Sequence, residues 1–168
     1  LLASRFRVLR TLGKGGMSTV YEALDTQLDR RVALKIIRRP EGFSLLRFKE
    51  EFRALAELRH PNLIELYDLA RDGETWFFTM ELIEGVDLVA YVDGVRATES
   101  AYLASMESAV TGGPSGDRVT PTREIFRLLA EIGAAVAHLH ARGTVHRDLK
   151  PSNILIDGLA RPRILDFG

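Results

Sequence analysis

Over residues 6–39 the apolar residues recur in a strand-like alternation, whereas between Phe43 and Arg59 they return every third or fourth place. Side chains alternate across a strand and stack along one face of a helix at three- and four-residue steps, so the change of period is a change of structure. Phe6, Val8 and Leu9 lead into a glycine-rich turn, and Thr19–Ala23 and Arg31–Ile37 follow as further strands. Turns rich in Gly or Asp separate them, which predicts antiparallel hairpins. Leu45, Phe48, Phe52, Leu55 and Leu58 mark the apolar stripe of the helix. His60-Pro61 ends it, because a residue before proline avoids the helical region. Two more apolar runs, Leu63–Leu69 and Thr75–Leu82, flank the turn Arg71-Asp72-Gly73-Glu74. The expectation is an α+β chain whose residues 1–83 form a five-stranded antiparallel sheet with one helix.

A second region, 84–168, opens near Glu84-Gly85. Thr120 is a good N-cap and Pro121 suits the first helical position, where its missing N–H costs nothing. Ile125, Leu128, Leu129, Ile132, Val136 and Leu139 form the stripe of the helix that follows, and Gly143 stands where a C-terminal cap belongs. Ile154–Ile156 and Arg163–Leu165 predict a hairpin around Asp157-Gly158. Residues 94–119 fit neither period. Thr98–Val110 could add a short helix, and Thr111–Asp117 is a cluster of breakers, so the stretch reads as a surface insertion.

Composition narrows the function. The 168 residues carry 23 basic and 23 acidic side chains, so net charge gives no electrostatic case for nucleic acid or an anionic membrane. There is no cysteine, which excludes disulfides, thiolate metal sites and cysteine nucleophiles. No apolar run reaches the roughly 20 residues that span a bilayer. The chain starts without Met and stops at Gly168, and both ends read as cuts through a longer protein.

The chemistry concentrates in His146-Arg147-Asp148-Leu149-Lys150-Pro151-Ser152-Asn153 and in Asp166-Phe167-Gly168. Asp148 is suited to accept the proton of an attacking hydroxyl, and Lys150 to balance charge on a transferred phosphoryl group. Asn153 offers an amide oxygen and Asp166 a carboxylate to a magnesium ion, which takes few protein oxygens and completes its shell with phosphate and water. Between the first two strands, Gly13 and Gly15 let backbone N–H groups approach phosphate oxygens. A strand follows this turn, which argues against a dinucleotide-binding fold. Lys35, in Val32-Ala33-Leu34-Lys35, is expected to pair with Glu51 of the predicted helix and aim its ammonium at ATP phosphates. Glu50 and Glu57 are rival partners; Glu51 shares a helix face with Leu55 and Leu58.

In this order and context, Gly13–Val20, Val32–Lys35, His146–Asn153 and Asp166–Gly168 resemble the signature set of a eukaryotic-like serine/threonine protein kinase domain. Leu149–Asn153 is of the serine/threonine type, and Gly15-Gly16-Met17-Ser18 and Arg30–Lys35 look like bacterial members. The resemblance implies a kinase N-lobe over 1–83 and the start of a C-lobe over 84–168. It implies ATP and Mg2+ as ligands, with Lys35 and Glu51 as the phosphate-anchoring pair, Asp148 as base, and Asn153 and Asp166 as metal ligands. Leu12, Val20, Ala33, Met80, Leu155 and Leu165 match the walls of an adenine pocket, with Met80 as gatekeeper. Glu81 and Ile83 match the hinge backbone that bonds adenine, and Asp87 a ribose contact. Leu55, Leu66, His146 and Phe167 match a hydrophobic spine. Ser18 replaces the third glycine of the phosphate turn and is small enough to keep it. A protein substrate with a Ser or Thr acceptor, further domains in the parent protein and a cytoplasmic setting follow as expectations, with any membrane tether outside this segment. The 168 residues alone lack the family's substrate platform. They are expected not to phosphorylate peptides, and a nucleotide-binding module without phosphotransfer is the alternative reading.

Overall fold

The computed structural model describes residues 2–15, 18–37, 45–97 and 121–166. Residues up to Ile83 form one compact unit and residues from Glu84 a second. The first holds strands β1 (Phe6–Lys14), β2 (Ser18–Asp25), β3 (Arg30–Ile37), β4 (Leu66–Asp72) and β5 (Thr75–Met80), and helix α1 (Leu45–Ala56). The strands form one antiparallel sheet in the order β1-β2-β3-β5-β4. The helix runs inside the predicted stretch. Positions 38–44 lie outside the described residues. β4 begins three residues later than its apolar run, because Leu63 and Ile64 are buried ahead of the strand.

Register divides the sheet into two faces. Partners opposite each other in an antiparallel pair share a face, and the next residue on either strand points the other way. Ala23 opposes Val32, Tyr21 opposes Leu34, and Ile36 opposes Phe77. These residues, with Phe6, build one apolar cluster in which Ala23, Val32, Leu34 and Phe77 have no exposed surface. Phe6 meets Phe77 edge-on, with centroids 5.7 Å apart. Tyr67 packs against the cluster and lies under the Arg30 guanidinium, 4.0 Å from the ring centroid. The opposite face carries Val20, Lys35 and Phe78 in one cross-strand row, and Glu22, Ala33 and Met80 in the next. Helix α1 packs on this second face, where Phe52 meets Phe78 at 5.6 Å.

The sheet is closed at one corner by a buried ion pair. Arg5 grips Asp25 with two bonds of 2.8 and 2.6 Å and reaches Asp68 at 3.1 Å. The Asp25 carboxylate also accepts the N–H groups of Gln27 and Leu28, which shapes the β2–β3 turn.

The second unit has β6 (Gly85–Asp87), β7 (Ile154–Asp157) and β8 (Pro162–Ile164) as an antiparallel sheet, with a helix α2 over 88–97 and helix α3 (Pro121–Ala141). The expected hairpin is present. Strand β6 and helix α2 were not anticipated from the periodicity. A three-residue strand is too short to show one, and α2 runs into positions assigned to the insertion. Thr120, Thr98–Val110 and the breaker cluster lie outside the described residues. Helix α3 buries Leu128, Ile132, Ala135 and Leu139, whereas Leu129, counted in its apolar stripe, is 53% exposed. A helix places successive residues about 100° apart, so Leu129 falls beyond the buried arc centred on Leu128 and Ala135. Gly143 takes φ +71°, and Gly143 and Thr144 donate to the carbonyls of His140 and Leu139, the cap predicted for it.

Two stability predictions follow from this packing. The Arg5 guanidinium holds the Asp25 carboxyl below its ordinary value against the opposing effect of burial. The pair therefore stabilises the fold above the unfolded carboxyl value of about 3.9, and that contribution is lost as pH falls through the lower folded value. Asp25→Asn should cost about 2–4 kcal/mol at neutral pH in urea titrations, and should flatten the acid limb below about pH 4. At Gly85 an added Cβ would lie 2.2 Å from the Ile156 carbonyl oxygen, whereas at Gly133 of α3 it would meet nothing within 4 Å. Gly85→Ala should lower Tm, by about 2 kcal/mol of stability. Gly133→Ala should raise it, by about 0.5–1 kcal/mol.

Candidate active site

The β1–β2 hairpin sets the glycine-rich turn. Gly13 pairs with Val20, and the Gly15 N–H donates to the Ser18 carbonyl at 2.9 Å. A Cβ at Gly13 would touch nothing of the protein within 4 Å. Packing within the chain therefore does not demand glycine at this point. Lys35 stands in the same cross-strand row as Val20, with its ammonium 5.9 Å from the Phe78 ring centroid. In the adjacent row Ala33 and Met80 are 4% and 5% exposed, forming a smooth apolar floor beside the lysine. Leu12, on the edge strand, is far more open.

Of the expected Lys35–Glu51 pair, the structure describes the glutamate's contact with an arginine of its own helix. Glu51 is 44% exposed and pairs with Arg47 one turn earlier, at 3.1 Å. The buried face of α1 is set by Phe52, the next residue along, so Glu51 sits on the flank of the helix and not at the centre of its sheet-facing side. Leu55 lies partly buried and Leu66 is buried.

After β5 the chain turns through residues 81–84. The Glu81 N–H donates to the Glu65 carbonyl at 2.9 Å. Ile83 is half-buried. Asp87 ends β6, and its Oδ1 accepts the Ala90 N–H at 3.0 Å. It thus caps helix α2, an occupation that sequence reasoning did not assign to it.

In the second unit the two motifs are tied together by short polar bonds. The Asn153 side-chain N–H2 donates to the Asp148 carbonyl at 2.8 Å and to its carboxylate at 3.0 Å. Lys150 Nζ donates to the same Asp148 Oδ2 at 2.7 Å. Pro151–Asn153 form a 3₁₀ turn that returns the chain onto β7, with the Asn153 N–H bonded to the Lys150 carbonyl. The Leu165 N–H donates to the Asn153 carbonyl at 2.8 Å, which joins the strand before Asp166 to this turn. His146 is 3% exposed; its Nε2 lies 2.8 Å from the Leu165 carbonyl and its Nδ1 accepts the Asp148 N–H at 3.3 Å. Leu155, in β7 opposite Arg163, and Leu165 are half-buried. Phe167 lies outside the described residues.

Electrostatics follow from these bonds. The Lys150 ammonium, and after it the Asn153 amide, hold the Asp148 carboxyl below the usual carboxylate range. The group is therefore an anion at neutral pH and able to accept a proton. Both donors of the Asn153 amide face Asp148, so its Oδ1 points elsewhere, and Asp166 adds an exposed carboxylate. Amide and carboxylate oxygens are hard donors suited to magnesium. Among the described residues no group of three or more His, Cys, Asp or Glu side chains is placed to hold a metal by itself. A metal here would draw the rest of its shell from phosphate and water. Arg147 and Asp166 both take left-handed backbone, at φ +63° and +54°. For residues with a Cβ that conformation costs about 1 kcal/mol or more, and such strain concentrates at functional sites.

Sequence reasoning missed Glu22. It is 3% exposed on the face that carries Lys35, and pairs with Arg10 and Arg31. The available signal was a glutamate at an inward position of β2, with Arg10 of β1 directly opposite and Arg31 of β3 two residues from its partner Ala33.

Comparison with known proteins accords with these observations. A family model described as the protein kinase domain matches residues 6–168. The serine/threonine-protein kinase PrkC of Bacillus subtilis is 34% identical over 170 residues, covering 99% of this chain and 23% of that protein. The DNA damage-responsive serine/threonine-protein kinase RqkA of Deinococcus radiodurans is 37% identical over 172 residues, covering 100% of this chain and 22% of its own length. The serine/threonine-protein kinase PknD of Chlamydia trachomatis is 36% identical over 98% of this chain and 17% of its own. The chain thus spans about a quarter or less of the length of these bacterial relatives. A five-stranded sheet bearing a glycine turn and a lysine, a polar loop built around Asp148, and a family match across nearly its whole length lead to one conclusion: the chain belongs to the protein kinase domain family.

Proposed function

We propose that this chain is the nucleotide-binding and catalytic-loop part of a serine/threonine protein kinase that transfers the γ-phosphoryl group of ATP to protein hydroxyls. The observation that carries the reading is the Asp148 carboxylate, exposed yet held by Lys150 at 2.7 Å and Asn153 at 3.0 Å. The sheet unit supplies Lys35 and the Gly13–Gly15 turn to the phosphates, and Leu12, Val20, Ala33 and Met80 to the adenine. Leu155 and Leu165 carry the same adenine assignment from the second unit. The Glu81 carbonyl and the Ile83 backbone are the hinge partners of the base. Asp87 reaches the ribose with the carboxylate oxygen that does not cap α2. Glu51 completes the lysine pair when α1 turns it away from Arg47.

In the reaction, Asp148 orients the acceptor hydroxyl and takes its proton as the oxygen bonds to the γ-phosphorus. The bond from that phosphorus to the bridging oxygen breaks, and ADP leaves with the electron pair. Lys150, already at Asp148, balances charge on the moving phosphoryl group, while Lys35 holds the phosphates that stay behind. Catalysis by this chain is therefore positioning and electrostatics. Magnesium, held by Asn153 Oδ1 and the Asp166 carboxylate, would neutralise phosphate charge when bound. His146 acts through structure, fixing the loop by its bonds at both ring nitrogens. Arg147, beside the base, is suited to pair with a phosphate on a regulatory segment of the parent protein.

Two substitutions separate binding from chemistry. In the parent protein, Asp148→Asn should lower kcat for peptide phosphorylation by about 10²–10⁴-fold while leaving nucleotide binding and the circular dichroism spectrum intact. Lys35→Met should instead weaken binding of magnesium-bound ATP, read by calorimetry. If Asp148→Asn retains full activity, the assignment of the base is wrong. A wild-type protein that binds ATP but phosphorylates nothing would favour the binding module over the enzyme.

A further inference from the structure

Strand β1 is the edge of its sheet and is weakly held. Among the described residues its only hydrogen-bonded neighbour strand is β2, and after Phe6 every residue of it is exposed. Val8, Leu9 and Leu12 are 40–49% exposed, so apolar packing fixes little of the strand. Its pairing with β2 slips twice, between Val8 and Arg10 and again between Thr11 and Gly13. A bulge lets a strand bend and twist locally. The segment that leads into the Gly13–Gly15 turn therefore lacks the two restraints that hold the inner strands.

Between the two slips stands Arg10, directly opposite Glu22 of β2. Arg10 Nε donates to Glu22 Oε2 at 2.7 Å, and Arg31 Nη1 of β3 donates to Oε1 at 2.8 Å. Both oxygens of one buried carboxylate are thus used, one toward each neighbouring strand. The carboxylate is 4% exposed while the arginine side chains are 67% and 52% exposed. An anion this enclosed holds its partners because leaving it unpaired is costly. Glu22 lies opposite Ala33, and Val20, two residues before it on the same face, lies opposite Lys35.

We propose that Glu22 is a positioning residue for the phosphate turn. By gripping Arg10 and Arg31 at once, it pins the edge strand to the centre of the sheet between its two bulges and fixes where the Gly13–Gly15 backbone sits relative to Lys35. This consequence for nucleotide affinity rests on the ATP-binding reading; the clamp itself does not.

The test uses the full-length protein and two independent readouts. Without nucleotide, Glu22→Gln should accelerate amide hydrogen exchange about ten-fold across residues 10–15 and leave β3 and β5 unchanged. In steady-state kinetics the same variant should raise KM for ATP about five-fold with kcat within about two-fold, as expected when a residue shapes binding and not the chemical step. Arg10→Gln, which removes only the edge-strand arm, should reproduce both effects and serves if Glu22→Gln folds poorly. Reversing all three charges, Arg10→Glu with Glu22→Arg and Arg31→Glu, should restore exchange and KM together. Unchanged exchange in the single variants overturns the clamp. Faster exchange with unchanged KM overturns the positioning role and leaves a purely structural ion triad. Absence of ATP binding in the wild type would sink the nucleotide reading, while the exchange data would still decide whether the clamp exists.

Discussion

The site in the second unit depends on what one amide does. Asn153 spends both side-chain protons on Asp148, one on its carbonyl and one on its carboxylate, while its own backbone carbonyl takes the Leu165 N–H. The loop from His146 to Asn153 has no regular ladder to hold it until its last residues turn as a 3₁₀ helix. Without those bonds Asp148 would sit on a free connection. With them, the carboxylate, the strand before Asp166 and the buried His146 ring become one rigid piece. Hydrogen bonds to a charged group are stronger than neutral ones, so the arrangement is firmest when Asp148 is ionised.

The first unit solves a different problem with the same means. A sheet with two dissimilar faces must bury one and keep the other available. Phe6, Val32, Leu34 and Phe77 close the first face by packing alone. The second face mixes apolar residues with Lys35 and the buried Glu22, and charges there are kept in place by partners on adjacent strands. Arg5 with Asp25 does the same at the corner of the sheet. Polar groups inside this unit are therefore joints between strands, and the apolar face is what they are joined to.

Much of this was legible in the sequence because it is written in local patterns. The alternation of β2, β3 and β5, the helical steps of α1 and the Pro121 start of α3 appear as the periods predict. So do the hairpin of β7 and β8 and the glycine at φ +71° that ends α3. What escaped was short, decided by distant contacts, or open to a rival partner close by. β6 has three residues, too few for a period, and its place is set by pairing with β7. Leu129 belongs to a run of apolar residues, and only the packing around Leu128 and Ala135 shows which of them turns outward. Glu51 was chosen over its neighbours by helix face, yet a nearby arginine at the i−4 position was a competing partner that face alone could not weigh. The residues of the polar loop were readable as a motif, whereas the bonds that make them one object were not.

Arg147 and Asp166 show what such an arrangement asks of the rest of the chain. Each holds a backbone conformation that glycine would adopt without penalty. Replacing either by glycine would relieve strain and remove the side chain to which the proposed chemistry assigns a role. At these two points the sequence that folds best and the sequence that the proposed chemistry requires are different sequences. Stability gained elsewhere, in the Phe6 cluster and along α3, sets how far the two can diverge before the loop relaxes.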